Sequence, residues 1–305
     1  MGFRELAARL PEWGRLFDEQ AHAAFREAVD KALRARGQPF ELHQDYARLL
    51  GPGPHWDLPL LPLAQRCSGA NPATWQDRVA EELEQRVTVE KLGRELDEVR
   101  GDFARAKDRL KLRIQPAATV GANAVSAAIA GGLHAVLVLD LPSFITPVRP
   151  ADLASWEKPA ELLVRLALDN VKTQEHVELK PMEVAQVRVF AVSGKGTFVA
   201  SLALAADDLL GPPTPFGALI AMPSAHILLA HSITDQRSLQ ALEAMAAGAL
   251  QAFEGGPDPL SPHLFWKRGD RFVALEVGRE DGRITCALVR EFDEQVVKLL
   301  RAPVM

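Results

Sequence analysis

The chain has 305 residues, 48% hydrophobic and 25% charged, which is enough apolar material for one large core or two smaller ones and argues against disorder as its main state. Its net charge of -5, from 35 basic and 40 acidic side chains, supplies no general basic field for nucleic acid or an anionic membrane, and neither partner is expected. Two cysteines, Cys67 and Cys286, have no CxxC or histidine-rich company, so they read as reduced thiols and no thiolate zinc site is expected.

The opening stretch, MGFRELAARLPEW, is charged and amphipathic and lacks the apolar core of a secretory signal, which sets the expectation of a cytoplasmic protein. From Phe3 to about Arg36, Leu6, Leu10, Trp13, Phe17, Phe25, Val29 and Leu33 recur at helical spacing, with Pro11 splitting the run in two. GPGPHWDLPLLP, from Gly51 to Pro62, is too rich in Pro and Gly for either element and reads as a connector. A second helical stretch runs from Pro72 to about Leu112, broken or kinked near Gly93 and Gly101. Arg105, Lys107, Arg109, Lys111 and Arg113 alternate there with Asp102 and Asp108, and read as a solvated helix face rather than a phosphate-tracking surface. The first region, 1-112, is therefore expected to be helical.

From Ile114 to Leu139 no charged residue occurs, a span as long as a membrane helix needs. Pro116, Asn123, His134, Gly121, Gly131, Gly132 and many alanines argue instead for a loop, a small-residue segment and a buried strand. That strand, Leu133 to Leu141, is apolar at almost every position, the pattern of a strand covered on both faces. A helix is expected from Pro159 to Gln174, a half-buried strand from Val184 to Val192, and a helix from Thr197 to Leu210 ended by the GPPTP turn at Gly211. Ala218 to Met222 and Ile227 to Ala230 form a hairpin pattern, and Asp235 to Phe253 an amphipathic helix. Strands at Leu264 to Lys267, Phe272 to Val277 and Arg283 to Leu288 precede a last helix at Glu291 to Leu300. Strands grouped between helices predict an α+β domain over 113-305, with a mixed or mostly antiparallel sheet and flanking helices.

SGKGT, Ser193 to Thr197, lacks the spacing of a phosphate loop and reads as a strand-to-helix turn using Gly for positive φ, with Thr197 as a helix cap. Ser224, His226, His231 and Asp235 form a Ser, His, Asp inventory without a nucleophile elbow. The two histidines, five apart on a strand, face opposite ways, and neither a metal nor a cofactor is expected. Asp140 ends the apolar strand and has two readings: it points into a ligand crevice, or it and Ser143 accept backbone N–H bonds of the turn at Pro142. The turn is the simpler reading. Asn170, late in its helix, is either a polar C-terminal residue or a cross-link to a neighbouring loop.

VLDLPSFITPVRPADLASWEKPAELLVRLALDNV, TFVASLALAADDLLG, GALIAMPSAHILLAHSI and PLSPHLFWKRGDRF, in that order, resemble the uncharacterised bacterial proteins grouped as a domain of unknown function of the YtpQ type, over about Leu110 to Val277. The resemblance implies a cytoplasmic α+β protein with no agreed activity, and it supplies no site residues. Ala225 stands where those proteins tend to carry a charged residue after Pro-Ser. The expected function is a non-catalytic module binding a protein or a small effector, with homo-oligomerisation left open. The alternative is a hydrolase with a non-standard site near Asp140 or His226, so whether the chain is an enzyme stays open. An enzyme would gather Asp140, Asn170, Ser201 and a histidine into one pocket, whereas scattered positions favour binding through Asp140, Ser143, Asn170, Ser201 or His226.

Overall fold

A computed structural model describes residues 11-37, 39-50, 56-184, 186-211 and 215-301. Expectations placed on 1-10, on the first five residues of the connector and on the turn at 212-214 lie outside these. The chain divides into two compact units, Met1–Glu95 and Leu96–Met305. Among the described residues no helix is long and apolar enough to cross a membrane.

In the first unit, Asp18 accepts a 2.7 Å hydrogen bond from the Ala21 N–H and so starts helix α1, Glu19–Ala35, which buries Phe25, Val29 and Leu33. An antiparallel three-stranded sheet follows, β1 (Phe40–Leu42), β2 (Tyr46–Leu49) and β3 (Trp56–Pro59), then α2 (Leu60–Cys67) and α3 (Trp75–Gly101). Trp13, Phe25, Leu49, Leu58, Leu63, Trp75 and Leu83 form its core. The region is thus less purely helical than expected. The connector supplies a strand and a helix, because Leu58, Leu60 and Leu63 find apolar partners that its Pro and Gly content does not reveal. Helix α3 runs through Gly93 unbroken and ends at Gly101.

The second unit is α+β. Its strands β4 (Leu110–Pro116), β5 (Ser126–Ala128), β6 (Leu133–Asp140) and β7 (Ile145–Pro147) make a four-stranded sheet in which β6 is flanked by β4 and β5 and also pairs with β7. Helices α4 (Pro150–Trp156) and α5 (Ala160–Gln174) follow. A seven-stranded sheet takes β8 (Val177–Val184), β9 (Val187–Gly194), β10 (Ala218–Ser224), β11 (Ile227–Ser232), β12 (Leu264–Arg268), β13 (Arg271–Glu280) and β14 (Arg283–Ala287), in the order β14-β13-β12-β10-β11-β9-β8. Every described pairing is antiparallel.

Strand β6 is covered on both faces, as its unbroken apolar run implies. Leu137 and Leu139 pack with Trp156, Leu163 and Ala167, while Val136 and Val138 pack with Phe198, Ile220 and Phe265 of the larger sheet's layer. The opposite face of the larger sheet is covered by α7 (Ser238–Gly255) and the C-terminal helical run from Arg290 to Arg301, through Met245, Trp266, Phe292 and Val296. Between β9 and β10 lie a 3₁₀ segment, Val199–Ala205, and the short helix α6, Ala206–Leu210. The expected boundary at 112/113 falls inside β4. The basic residues around it are not one helix face either, since Lys111 and Arg113 belong to that strand.

Candidate functional site

Strand β4 is hydrogen-bonded to β6 along one side, and its outer edge is closed by side chains. Asn170, positioned by α5, donates from Nδ2 to the Lys107 and Leu110 carbonyls at 2.7 and 2.8 Å. Ser201, fully buried in the 3₁₀ segment, accepts the Ile114 N–H at 3.3 Å. These two side chains satisfy backbone groups that a bare edge would leave open.

Between them sits Lys111, whose side chain is 6% exposed. Its Nζ lies 2.9 Å from Asp140 Oδ2 and 2.9 Å from Glu175 Oε1, and 4.6 Å from the centre of the Phe198 ring. Burial acts to lower its affinity for a proton, but the hydrogen bonds and charges of both carboxylates outweigh burial and hold it above the ordinary lysine value. It is thereby kept as an ammonium ion, which suits an anchor and not a nucleophilic amine. Asp140 is therefore a counter-ion to a buried lysine. The turn beside it is closed by the backbone, Leu141 N–H to Phe144 O at 3.0 Å, and Ser143 is an exposed residue of that turn. The sequence missed Lys111 and Glu175, although the alternation in LKLRI was a strand signal.

Glu175 also explains the SGKGT loop. Gly194 and Gly196 do not have positive φ. A Cβ on Gly196 would collide with the Glu175 carboxylate, and one on Gly194 would come within 2.8 Å of the His176 carbonyl. The glycines allow close approach. Thr197 is not the cap of the segment that follows, whose first flanking residue is Phe198.

His226 clamps this loop from the other side. Its Nδ1 faces the Gly196 carbonyl at 2.9 Å and its Nε2 faces Asp258 Oδ2 at 2.9 Å, while its backbone N–H donates to Ser224 Oγ at 3.3 Å. The ring thus joins the SGKGT loop, the β10-β11 turn and the segment around Asp258, which is held at φ 48°. A nucleophilic serine would present its hydroxyl to a ring nitrogen, whereas Ser224 receives a backbone N–H.

His231 is apart from His226, buried in β11. Its Nδ1 donates to the Arg188 carbonyl at 2.7 Å, and Nε2 accepts from the Ser238 hydroxyl at 2.9 Å. Asp235 binds Arg237. Among the described residues no three His, Cys, Asp or Glu side chains are grouped to hold a metal. Burial pushes His231 below the ordinary value of 6.5, against the opposing pull of the Arg188 carbonyl and Asp235. The unfolded chain therefore takes up this proton first as pH falls, so the stability His231 contributes is present above 6.5 and is lost on acidification. Denaturant melts over that range should show a shallower acid loss for His231→Gln than for the parent.

Asp140, Asn170 and Ser201 thus each hold β4 at a different residue, from three different elements, Ser143 is outside the group, and His226 reaches it only through the SGKGT loop. Cys67 is buried and Cys286 half-buried; both are free, and burial raises both thiols, Cys286 to about 11.

A second feature is β8, the edge of the larger sheet, which the sequence reading left out. Val177, Leu179 and Met182 are 37%, 45% and 40% exposed. Which of its backbone groups are free follows from β9. The Gly194 N–H donates to the His226 carbonyl at 3.2 Å and the Arg188 carbonyl accepts from His231, so even-numbered residues of β9 address β11 and odd-numbered ones address β8. In the register Glu178↔Ser193, Lys180↔Ala191 and Met182↔Val189, the β8 residues bonded to β9 are the even ones. Val177, Leu179, Pro181 and Glu183 then aim their main-chain groups off the sheet. Pro181 occupies a place where the ladder needs no N–H.

The chain matches no family model, no curated protein and no solved structure.

Proposed function

We propose that the chain is a non-catalytic module that binds a protein partner through the free edge of β8. The observation that carries this is a strand of eight residues, apolar at Val177 and Leu179, whose outer side no strand among the described residues pairs. The fixed partners of Lys111, Asp140, Asn170, Ser201 and His226 support it, because each of those side chains holds segments of this fold together. The hydrolase alternative is weaker for the same reason: both ring nitrogens of His226 face acceptors within the fold. The likeness to YtpQ-type proteins belongs to this proposal and adds no residue roles. A photo-crosslinking phenylalanine placed at Leu179, in cells that make the protein naturally, should give a discrete protein adduct. The same group at Val164, exposed on α5, should not. No adduct at 179, or the same adducts at both positions, would overturn the reading.

A further inference from the structure

We infer that the partner at the β8 edge is a second copy of this chain, paired antiparallel about Leu179. The inference rests on the reading of β8 as a contact edge and deepens it.

Only certain registers let two outward-facing residues meet, and the strand's own charges select among them. With Leu179 opposite Leu179 of the second copy, each outward N–H of Leu179 finds the other's carbonyl. Val177 then lies opposite Pro181 and donates its N–H to the Pro181 carbonyl, while the Val177 carbonyl, which the missing proline N–H cannot reach, is left to water at each end of the contact. Glu178 lies opposite Lys180 twice, by symmetry. In the single chain these two side chains are exposed and pair with each other at 2.9 Å along the strand. Across the axis each acquires a directly opposed partner of opposite sign. In the ladder, residues opposite one another share a face, so Val177, Leu179 and Pro181 continue the face of Phe190 and Val192. The contact is isologous and closes at two copies. Glu, Lys and Pro also blunt an edge against pairing, so the sign of the charges has to be tested directly.

Sedimentation of the full chain from nanomolar to high micromolar concentration should show a monomer–dimer equilibrium. Glu178→Lys, and separately Lys180→Glu, should each weaken the dimer about tenfold or more, since like charges then face each other twice. Mixing these two variants should restore a heterodimer. Leu179→Pro should give a monomer that melts where the parent does at concentrations too low for it to dimerise, because its N–H lies outside the β8-β9 ladder. A parent that stays monomeric, or a dimer indifferent to all three changes, would overturn the inference. If the Leu179 crosslink forms to a different protein while the parent is monomeric, the contact edge stands and the second copy is ruled out.

Discussion

Lys111→Met should lower the stability of the protein by about 3 to 4 kcal/mol, because removing one member of a buried ionic group leaves its partners uncompensated. Glu175 and Asp140 are the partners, with side chains 8% and 30% exposed, so the penalty falls mainly on Glu175. Methionine fills the volume of the lysine stem and keeps contact with Phe198, which separates the effect of charge from that of a cavity. The lysine's proton affinity is raised on folding, so its contribution is complete below the ordinary value of 10.5 and is lost as pH rises beyond it. Chemical denaturation of parent and variant at neutral pH checks the size. A triple change, Lys111→Met with Asp140→Asn and Glu175→Gln, should recover part of the loss. If Lys111→Met costs less than about 1 kcal/mol, the level of an exposed ion pair, the ammonium is not the anchor described.

The second large effect distinguishes two truncations. A fragment of residues 96-305 keeps β4 whole and should melt cooperatively. A fragment of residues 113-305 loses Leu110, Lys111 and Leu112, and with them two leucines that are 0% and 4% exposed. Buried leucines removed from cores typically cost about 2 to 5 kcal/mol each, and the ionic group adds its own loss. The sum reaches the whole stability of an ordinary domain, about 5 to 15 kcal/mol. The shorter fragment should lack a cooperative transition by circular dichroism. Equal melting of the two would place the boundary inside β4 after all.

How far the sequence announced this architecture depends on whether the signal was local. Strand β6, the β10-β11 hairpin and helices α5 and α7 were legible because unbroken apolar runs or helical spacing mark them within a dozen residues. Strand β8 was not legible: VELKPMEV carries a proline and three charges, and it becomes a strand through its ladder to β9. β4 was hidden for a different reason. Lys111 and Arg113 look like solvent residues until Asp140 and Glu175, distant in sequence, are brought to the first of them. Asn170 was singled out as a cross-link or a helix end, and it bridges to the Lys107 and Leu110 carbonyls. The role given to Asp140 was the miss with most consequence, since a carboxylate before Leu-Pro-Ser satisfies every local rule for a turn while its partner lies on a neighbouring strand.

The collision that a Cβ on Gly196 would make with Glu175 ties the two positions together in any history of substitution. As long as residue 175 carries a long acid reaching Lys111, any side chain at residue 196 has to push that carboxylate aside. Were Glu175 shortened to alanine or serine, residue 196 would be released, and Lys111 would in the same event lose half of its charge compensation. Substitutions at 111, 175 and 196 are therefore expected to travel as a set. A chain that carries alanine at the second glycine of this loop should be one in which residue 175 is shorter or its carboxylate has turned away from the loop.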